Sequence, residues 1–481
     1  MPACTRSRWA DLSVRVAIAL AFADASVVVL ALPQIVVRLH TSISHVTWVI
    51  TAYNLALIAS TIAILPLATR LSSRRALVAG LAVFGVASLG SGAAGSLTVL
   101  VLWRCVQGAG GALLLCASLP LLARGRDGTA QLYAWAATAA FGAGVGPAVG
   151  GILTQLFDWR AIFLAQAPVA AVAAAAAVAS RLKPAVTEPP SGGTGVEPGA
   201  AGGRAALSPA IANTALALIS AGLIGALFLA TILLINVWQL SPLGAAAILF
   251  VIPVATVLAG RLVRDRDPAA VGAAGAVVLA AGLIVLALVP GRELGLALLA
   301  LGLCGVGLGV AFPSLTRAAL HRRGLPIARA ARTVAAREGG LVLGLVLLTP
   351  VLVHQLNNAP GRAVPPVTRA VITAPLSLAT KIQLGAGLLA ANAHTPPSRL
   401  PDFGPPFAQA GTGAGPADRT ALAGLEAQVQ SLVQRAVTRS FRDPLLLCAL
   451  LSLLAIVPLA YGRRRAGALR APQTAGRSPI Q

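Results

Sequence analysis

Apolar residues run in blocks of roughly twenty positions, and polar positions are confined to short breaks between them. Blocks of that length carry an α-helix across about 30 Å of hydrocarbon. They show no apolar/polar alternation, which argues against a β-barrel. Spans are predicted near 14–37, 46–68, 76–95, 97–122, 130–156, 161–180, 210–236, 243–263, 269–290, 293–318, 333–355 and 444–461. An even number of spans puts both ends on one side. The first apolar block has no small-residue cleavage site after a short core and reads as a retained span.

Charge orients this pattern. Alternate connections carry Arg6, Arg8 and Arg15; Arg70, Arg74 and Arg75; Arg124 and Arg126; Arg181, Lys183 and Arg204; Arg261, Arg264 and Arg266; Arg317 to Arg337; and Arg463 to Arg477. The short loops opposite carry only Arg38, Arg160 and Arg292. By the positive-inside rule the Arg-rich side, with both termini, is cytoplasmic. Lys only at Lys183 and Lys381 and Met only at position 1 resemble the bias of a GC-rich bacterial genome, so the expected location is a bacterial inner (plasma) membrane. The net charge of +23 is therefore topological, and no nucleic-acid partner is expected.

Two segments break the rhythm. The Pro- and Gly-rich stretch 181–209 reads as a flexible cytoplasmic linker between two six-helix halves. Short basic loops echo each other across it: Ala68 to Arg75 after the second span, Ala259 to Arg266 after the eighth. The second segment, 356–443, is an extracytoplasmic insertion whose Leu422, Leu425, Val429, Leu432, Val433 and Val437 have helical spacing, with a weaker helical candidate at 367–391. The expected organisation is an N-terminal bundle at 1–180, the linker, helices seven to eleven at 210–355, the insertion, a twelfth helix at 444–461 and a cytoplasmic tail at 462–481.

Enzyme chemistry finds no foothold. The cysteines Cys4, Cys105, Cys116, Cys304 and Cys448 are scattered, and His40, His45, His321, His354 and His394 lie outside span centres. No metal site, cofactor or Walker A loop is predicted, so transport energy would come from an ion or substrate gradient. Asp24 sits mid-span, where an unpaired carboxylate costs at least ~2.5 kcal/mol. It reads either as a proton-exchanging carboxyl on an internal water path or as a structural hydrogen-bonding group. Arg104 reads as the only basic residue well inside a span: a fixed charge beside a proton path, or a tether to carbonyls. In the fifth span, Gly142-x-x-x-Gly146-Pro147-x-x-Gly150-Gly151 combines close-packing glycines with a helix bend.

These residues resemble the major facilitator superfamily, in particular its drug:proton antiporters. The first-span pattern ending in A-L-P is similar at Asp24, Ala31, Leu32 and Pro33, with Val29 in place of the usual Asn. Arg104, Gln107 and Gly108 match R-x-x-Q-G, and the antiporter motif of the fifth span is complete. Asp158 to Phe163 with Pro168, and Gln239 with Ser241-Pro242, resemble further family positions. The loop after the second span departs: Thr69 replaces the family's acid and Ser72 its Gly, while Arg70 and Arg74 remain. In the family that acid contacts helix ends across the cytoplasmic face and helps lock one conformation. The branch usually has fourteen helices; 181–209 has no room for the extra pair, so twelve are kept.

The resemblance implies an all-α major-facilitator fold whose two bundles rock about a central site. Tyr53, Asn54, Gln107, Asn236, Gln239 and Glu338 are the polar residues expected around that cavity, Asp24 the proton carrier, Arg104 its partner, and Thr69, Arg70 and Arg74 the cytoplasmic gate loop. The expected function is proton-coupled export of drugs or other lipophilic small molecules by a monomer in contact with membrane lipid. Export of lipid or a lipophilic metabolite through the insertion, and a non-transporting membrane scaffold or receptor, stand as alternatives. Aromatics, at 4% of the chain, are sparse for a pocket that takes flat cations, although Tyr53, Trp103, Tyr133 and Trp135 supply some.

Overall fold

The structure is a computed structural model that describes residues 3–122, 128–179, 207–263, 266–320, 325–394, 403–412 and 415–468. Most of the linker at 181–209 and the tail beyond 468 lie outside these residues, as do Arg124, Arg126, Arg264, His321, Arg322 and Arg323. Among the described residues twelve helices are long and apolar enough to cross a membrane. The first six are α1 (Trp9–Arg38), α2 (Ile43–Leu67), α3 (Ser73–Gly92), α4 (Leu97–Leu121), α5 (Gly128–Leu156) and α6 (Ala161–Ala179). Next come α7 (Pro209–Val237), α8 (Pro242–Leu262), α9 (Pro268–Ala287), α10 (Leu294–Leu320) and α11 (Pro326–Asn357). The helices α12 (Ala359–Thr373), α13 (Leu378–His394), α14 (Gly404–Thr412) and α15 (Pro416–Arg439) then precede the last span, α16 (Arg442–Leu454, continued as Ile456–Ala468).

Local chemistry sets the helix starts. Ser42, Ser96, Ser241 and Asp267 accept backbone N–H bonds at the first turns of α2, α4, α8 and α9, satisfying donors that have no intrahelical partner. Pro209, Pro242, Pro268 and Pro326 occupy first helical positions, where the missing N–H costs nothing. Pro326 also corrects a predicted boundary. The helix expected to begin at 333 begins here, so Arg329 and Arg332 lie on α11, and Arg337, counted with the basic loop although inside the predicted span, stands about three turns into the helix. Within the insertion, the single helix expected over 367–391 is two, because Pro375 interrupts it between α12 and α13.

The spans form two six-helix bundles, α1–α6 and α7–α11 with α16. Within the first, α1 packs on α5, α2 on α4 and α3 on α4; within the second, α7 packs on α11, α8 on α10 and α9 on α10. The halves meet where α11 lies against α2 and α4, and where α5 lies against α8 and α10. Two apolar seams join them. One brings Leu320, Ile327, Ala330 and Ala331 onto residues such as Ala68, Leu119 and Leu122 at the Arg-rich ends of the helices. The other brings α7, α8 and α11 onto Val27 to Ile35 toward the opposite ends. A cavity lies between the halves.

Helices α12–α15 form a cap with its own core, centred on Val371, Leu384, Phe407, Leu425 and Val429. The cap is pinned to the spans by Trp238 Nε1 donating to Thr438 Oγ1 at 3.3 Å and Gln434 Nε2 donating to the Val237 carbonyl at 3.0 Å.

Candidate functional site

The first bundle closes around a buried charged centre. Asp24 on α1 and Arg104 on α4 are both fully buried, and Arg104 Nη1 donates to Asp24 Oδ2 at 2.7 Å. Arg104 also donates through Nη1 to Gln107 Oε1 at 2.8 Å and through Nε to the Val49 carbonyl of α2 at 3.0 Å. Its guanidinium lies 4.3 Å from the ring centroid of Tyr53, whose hydroxyl reaches back to the Ala21 carbonyl of α1. Gln107 Nε2 is within hydrogen-bond distance of Asp24 Oδ1 (3.2 Å), Ser88 Oγ on α3 (2.9 Å) and Gln166 Oε1 on α6 (2.8 Å). One charge pair thereby ties together α1, α2, α3, α4 and α6. Charge-assisted bonds of this kind offset the desolvation of both ions only when geometry is good and further bonds are made, as here.

A second buried pair corrects the expectation that Arg104 is alone. Arg337 on α11 donates through Nη1 to Glu338 Oε1 at 2.9 Å, with the Arg side chain 12% and the Glu side chain 2% exposed. Arg337 stacks 4.1 Å over Phe22 of α1 and 5.8 Å from Phe312 of α10, so it touches both halves. Glu338 interacts electrostatically with Asp24 and Tyr53, and its Oε2 has no hydrogen-bond partner among the described residues.

The cavity between the bundles has a volume of about 60 Å³, room for a handful of waters and not for a drug-sized molecule in this conformation. Phe22, Trp135, Pro147, Pro253, Phe312 and Arg337 are among the residues that line it. Trp135 meets Phe22 edge to face at 5.6 Å and donates from Nε1 to Ser118 Oγ at 2.9 Å. Of the six polar residues expected around a central cavity, none lines this one. Tyr53 and Gln107 belong to the charged centre, and Glu338 to the second pair. Asn54 is buried, with neither amide atom partnered among the described residues. Asn236 and Gln239 sit at the cap end of α7, where exposed Gln239 adopts a left-handed backbone (φ 55°) and donates to the Asn236 carbonyl at 2.7 Å. Tyr133's side chain lies outside the described residues.

The glycines of α5 face two ways. A Cβ on Gly142, Gly146 or Gly150 would run into the backbone of α1 at Ala19, Ala23 or Val27. A Cβ on Gly144 or Gly151 would meet Pro253 or Ala246 of α8, in the other half. The motif thus packs α5 within its own bundle and across the bundle interface, and Pro147 reaches the cavity wall. In the gate loop, Thr69 and Arg70 are exposed, while Arg74 Nη2 donates to the Val178 carbonyl at 2.7 Å and caps the end of α6.

Ser88, Gln166 and Arg337 were not among the expected site residues. Gln166 carried a signal, an amide near the start of an apolar span; Ser88 carried almost none.

A twelve-span bundle pair with buried charge at its centre defines a polytopic membrane protein of two helical halves. The chain belongs to the Major Facilitator Superfamily, whose model matches residues 16–349. That family is one of transporters, not enzymes. Among similar proteins, the methylenomycin A resistance protein of Streptomyces coelicolor is 35% identical over 153 residues, 31% of this chain and 32% of that protein. The lincomycin resistance protein of Streptomyces lincolnensis is 38% identical over 172 residues, 34% and 35% of the two chains. The tetracenomycin C resistance and export protein of Streptomyces glaucescens is 33% identical over 162 residues, 33% and 30% of the two chains. Each match spans about a third of the relative's length. A solved bacterial homologue of the human lysosomal transporter Spinster, inward-facing and unoccupied, superposes with a TM-score of 0.62 over 95% of this chain and 98% of that one, at 16% identity.

Proposed function

We propose that this chain is a proton-coupled exporter of drugs or other lipophilic small molecules, working by alternating access. The observation that carries the reading is the sealed Asp24–Arg104–Gln107 centre behind the wall of an apolar cavity between the two halves. A proton on Asp24 removes the charge from its bonds to Arg104 and Gln107. Five helices lose part of what holds them in register, and the first bundle is free to change its packing. The α5 glycines supply a smooth surface on which one half slides against the other. The resistance functions named for the relatives support drug cargo, and their bacterial sources support a bacterial plasma membrane.

The test is flux from proteoliposomes loaded in turn with dyes, antibiotics and lipids, with and without a pH gradient. Wild-type protein is expected to move at least one cargo against the proton gradient. Asp24→Asn is expected to abolish gradient-driven flux while eluting as a folded monomer. Full coupling in Asp24→Asn removes this carboxyl from the mechanism.

Lipid cargo is kept in that screen for a specific reason. Leu378, Ile382 and Leu389 of α13 are more than 60% exposed on the cap.

A further inference from the structure

The charged residues near the centre are not distributed evenly with respect to the cavity. Asp24 and Arg104 are sealed at zero exposure and paired with each other. Glu338 is 2% exposed and does not line the cavity, although it interacts with Asp24 and Tyr53 of the first bundle. Among the described lining residues Arg337 is the only charged one. A molecule in the cavity therefore faces the guanidinium, with the carboxylates of Asp24 and Glu338 behind the wall.

The guanidinium is also prepared for an acceptor. Glu338 Oε1 is the one oxygen that accepts from Arg337 among the described residues, which leaves most of its five N–H donors free for another acceptor. Stacking on Phe22 and Phe312 holds the planar group in place without consuming those donors. One helical turn earlier, Thr333 lines the same cavity; it is 3% exposed and its hydroxyl has no hydrogen-bond partner among the described residues. A buried, unsatisfied hydroxyl beside a guanidinium is costly to maintain without a ligand or water, and residues four apart on a helix share a face. The rest of the wall is mainly aromatic, aliphatic and Pro.

We propose that Arg337 and Thr333 form an anion-binding subsite, and that the cargo of this cavity is an amphipathic anion: an apolar body carrying a carboxylate or comparable oxyanion. The assignment rests on the cavity being the cargo site of an exporter. Arg337 supplies charge and a planar fork to the oxyanion, Thr333 donates its hydroxyl, and Phe22, Trp135 and Phe312 take the apolar body. Glu338 competes with the cargo for the same guanidinium and holds it when no cargo is present.

The test uses three probes with one fluorophore: dansylglycine (anionic), dansylamide (neutral) and dansylcadaverine (cationic). Binding to the purified full-length protein is read by fluorescence, and flux is read in proteoliposomes. Dansylglycine is expected to bind about tenfold more tightly than dansylcadaverine. Arg337→Gln is expected to erase that preference, bringing dansylglycine to the affinity of dansylamide, and Thr333→Val to weaken dansylglycine more than the other two probes. Arg337→Lys retains the charge and is expected to restore most of the preference, which separates loss of the subsite from loss of the fold. Glu338→Gln removes the competitor and is expected to tighten dansylglycine several-fold, a gain that no structural defect produces. Equal affinity for the three probes, preference for the cation, no binding of dansylglycine, or a preference unchanged in Arg337→Gln overturns the proposal. The two readings fail differently. Anion-selective binding without any gradient-driven flux leaves the subsite standing and removes the exporter, whereas flux restricted to neutral or cationic cargo does the reverse.

Discussion

Arg104 makes hydrogen bonds to Asp24, Gln107 and the Val49 carbonyl, yet its Nη2 has no partner among the described residues. Its stability contribution therefore hangs on Asp24. Removing the guanidinium leaves a carboxylate buried and unpaired, and breaking a buried pair in this way costs about 3 kcal/mol or more. Arg104→Gln is expected to lower the thermal unfolding temperature sharply, and Asp24→Asn in the same chain to recover much of the loss. A double-mutant cycle on detergent-solubilised protein measures the coupling; strict additivity of the two losses would show that the pair is not an energetic unit. Both residues stood out in the sequence because an ion inside an apolar run demands compensation. Their pairing did not, since 80 positions separate them and only the packing of α1 on α4 joins them. Arg337 was hidden for a related reason. It lies near the Arg-rich end of α11, where a run of arginines resembles an ordinary basic loop until the helix is seen to start at Pro326.

The fifth span shows how one helix serves two interfaces. Gly146 abuts Ser26 and Ala23 of α1 within the first bundle, whereas Gly151 abuts Ala246 and Pro242 of α8 in the second. Overpacking in a tight core costs typically about 1–3 kcal/mol, and here the clash includes the backbone oxygens of Ala23 and Pro242, which cannot rotate away. Gly146→Val is expected to destabilise the protein strongly, because it wedges two helices that must stay together. On the proposed alternating-access cycle Gly151→Val wedges halves that part, so its expected signature is a large fall in transport with a smaller fall in unfolding temperature. Measuring flux and thermal unfolding for both variants checks this, and equal losses in both assays would mean that the motif has a single packing role. The spans themselves were legible because twenty apolar residues without charge have few alternatives to a membrane helix. The insertion was only half legible: the spacing from Leu422 to Val437 revealed α15, but the turn at Pro375 and the short α14 carry patterns too brief to be read without their neighbours.

At the scale of the whole molecule, the alternation of basic and neutral loops is the basis of the proposed orientation. Several contacts confirm that the predicted loops share faces: Arg74 of α3 bonds the end of α6, and Arg463 of α16 lies 3.4 Å from Asp267 at the start of α9. On the opposite face, Arg160 Nη2 bonds the Ala94 carbonyl at 3.2 Å. The cap complicates the charge count. It puts Arg362, Arg369, Lys381, Arg435 and Arg439 on the otherwise neutral face, some within fifteen residues of a span. Two considerations favour the basic loops in this contest. The positive-inside bias acts through short loops, whereas a segment longer than about sixty residues is translocated largely regardless of its charge. In addition, inverting α11 and α16 alone would break the packing of α11 on α2 and α7. A green fluorescent protein fused after the last span is expected to fluoresce in cells, and alkaline phosphatase inserted between α13 and α14 to be active. Fluorescence from a cap insertion, together with an inactive phosphatase there, would mean that the cap arginines decide the topology, and the direction of transport assigned here would reverse with it.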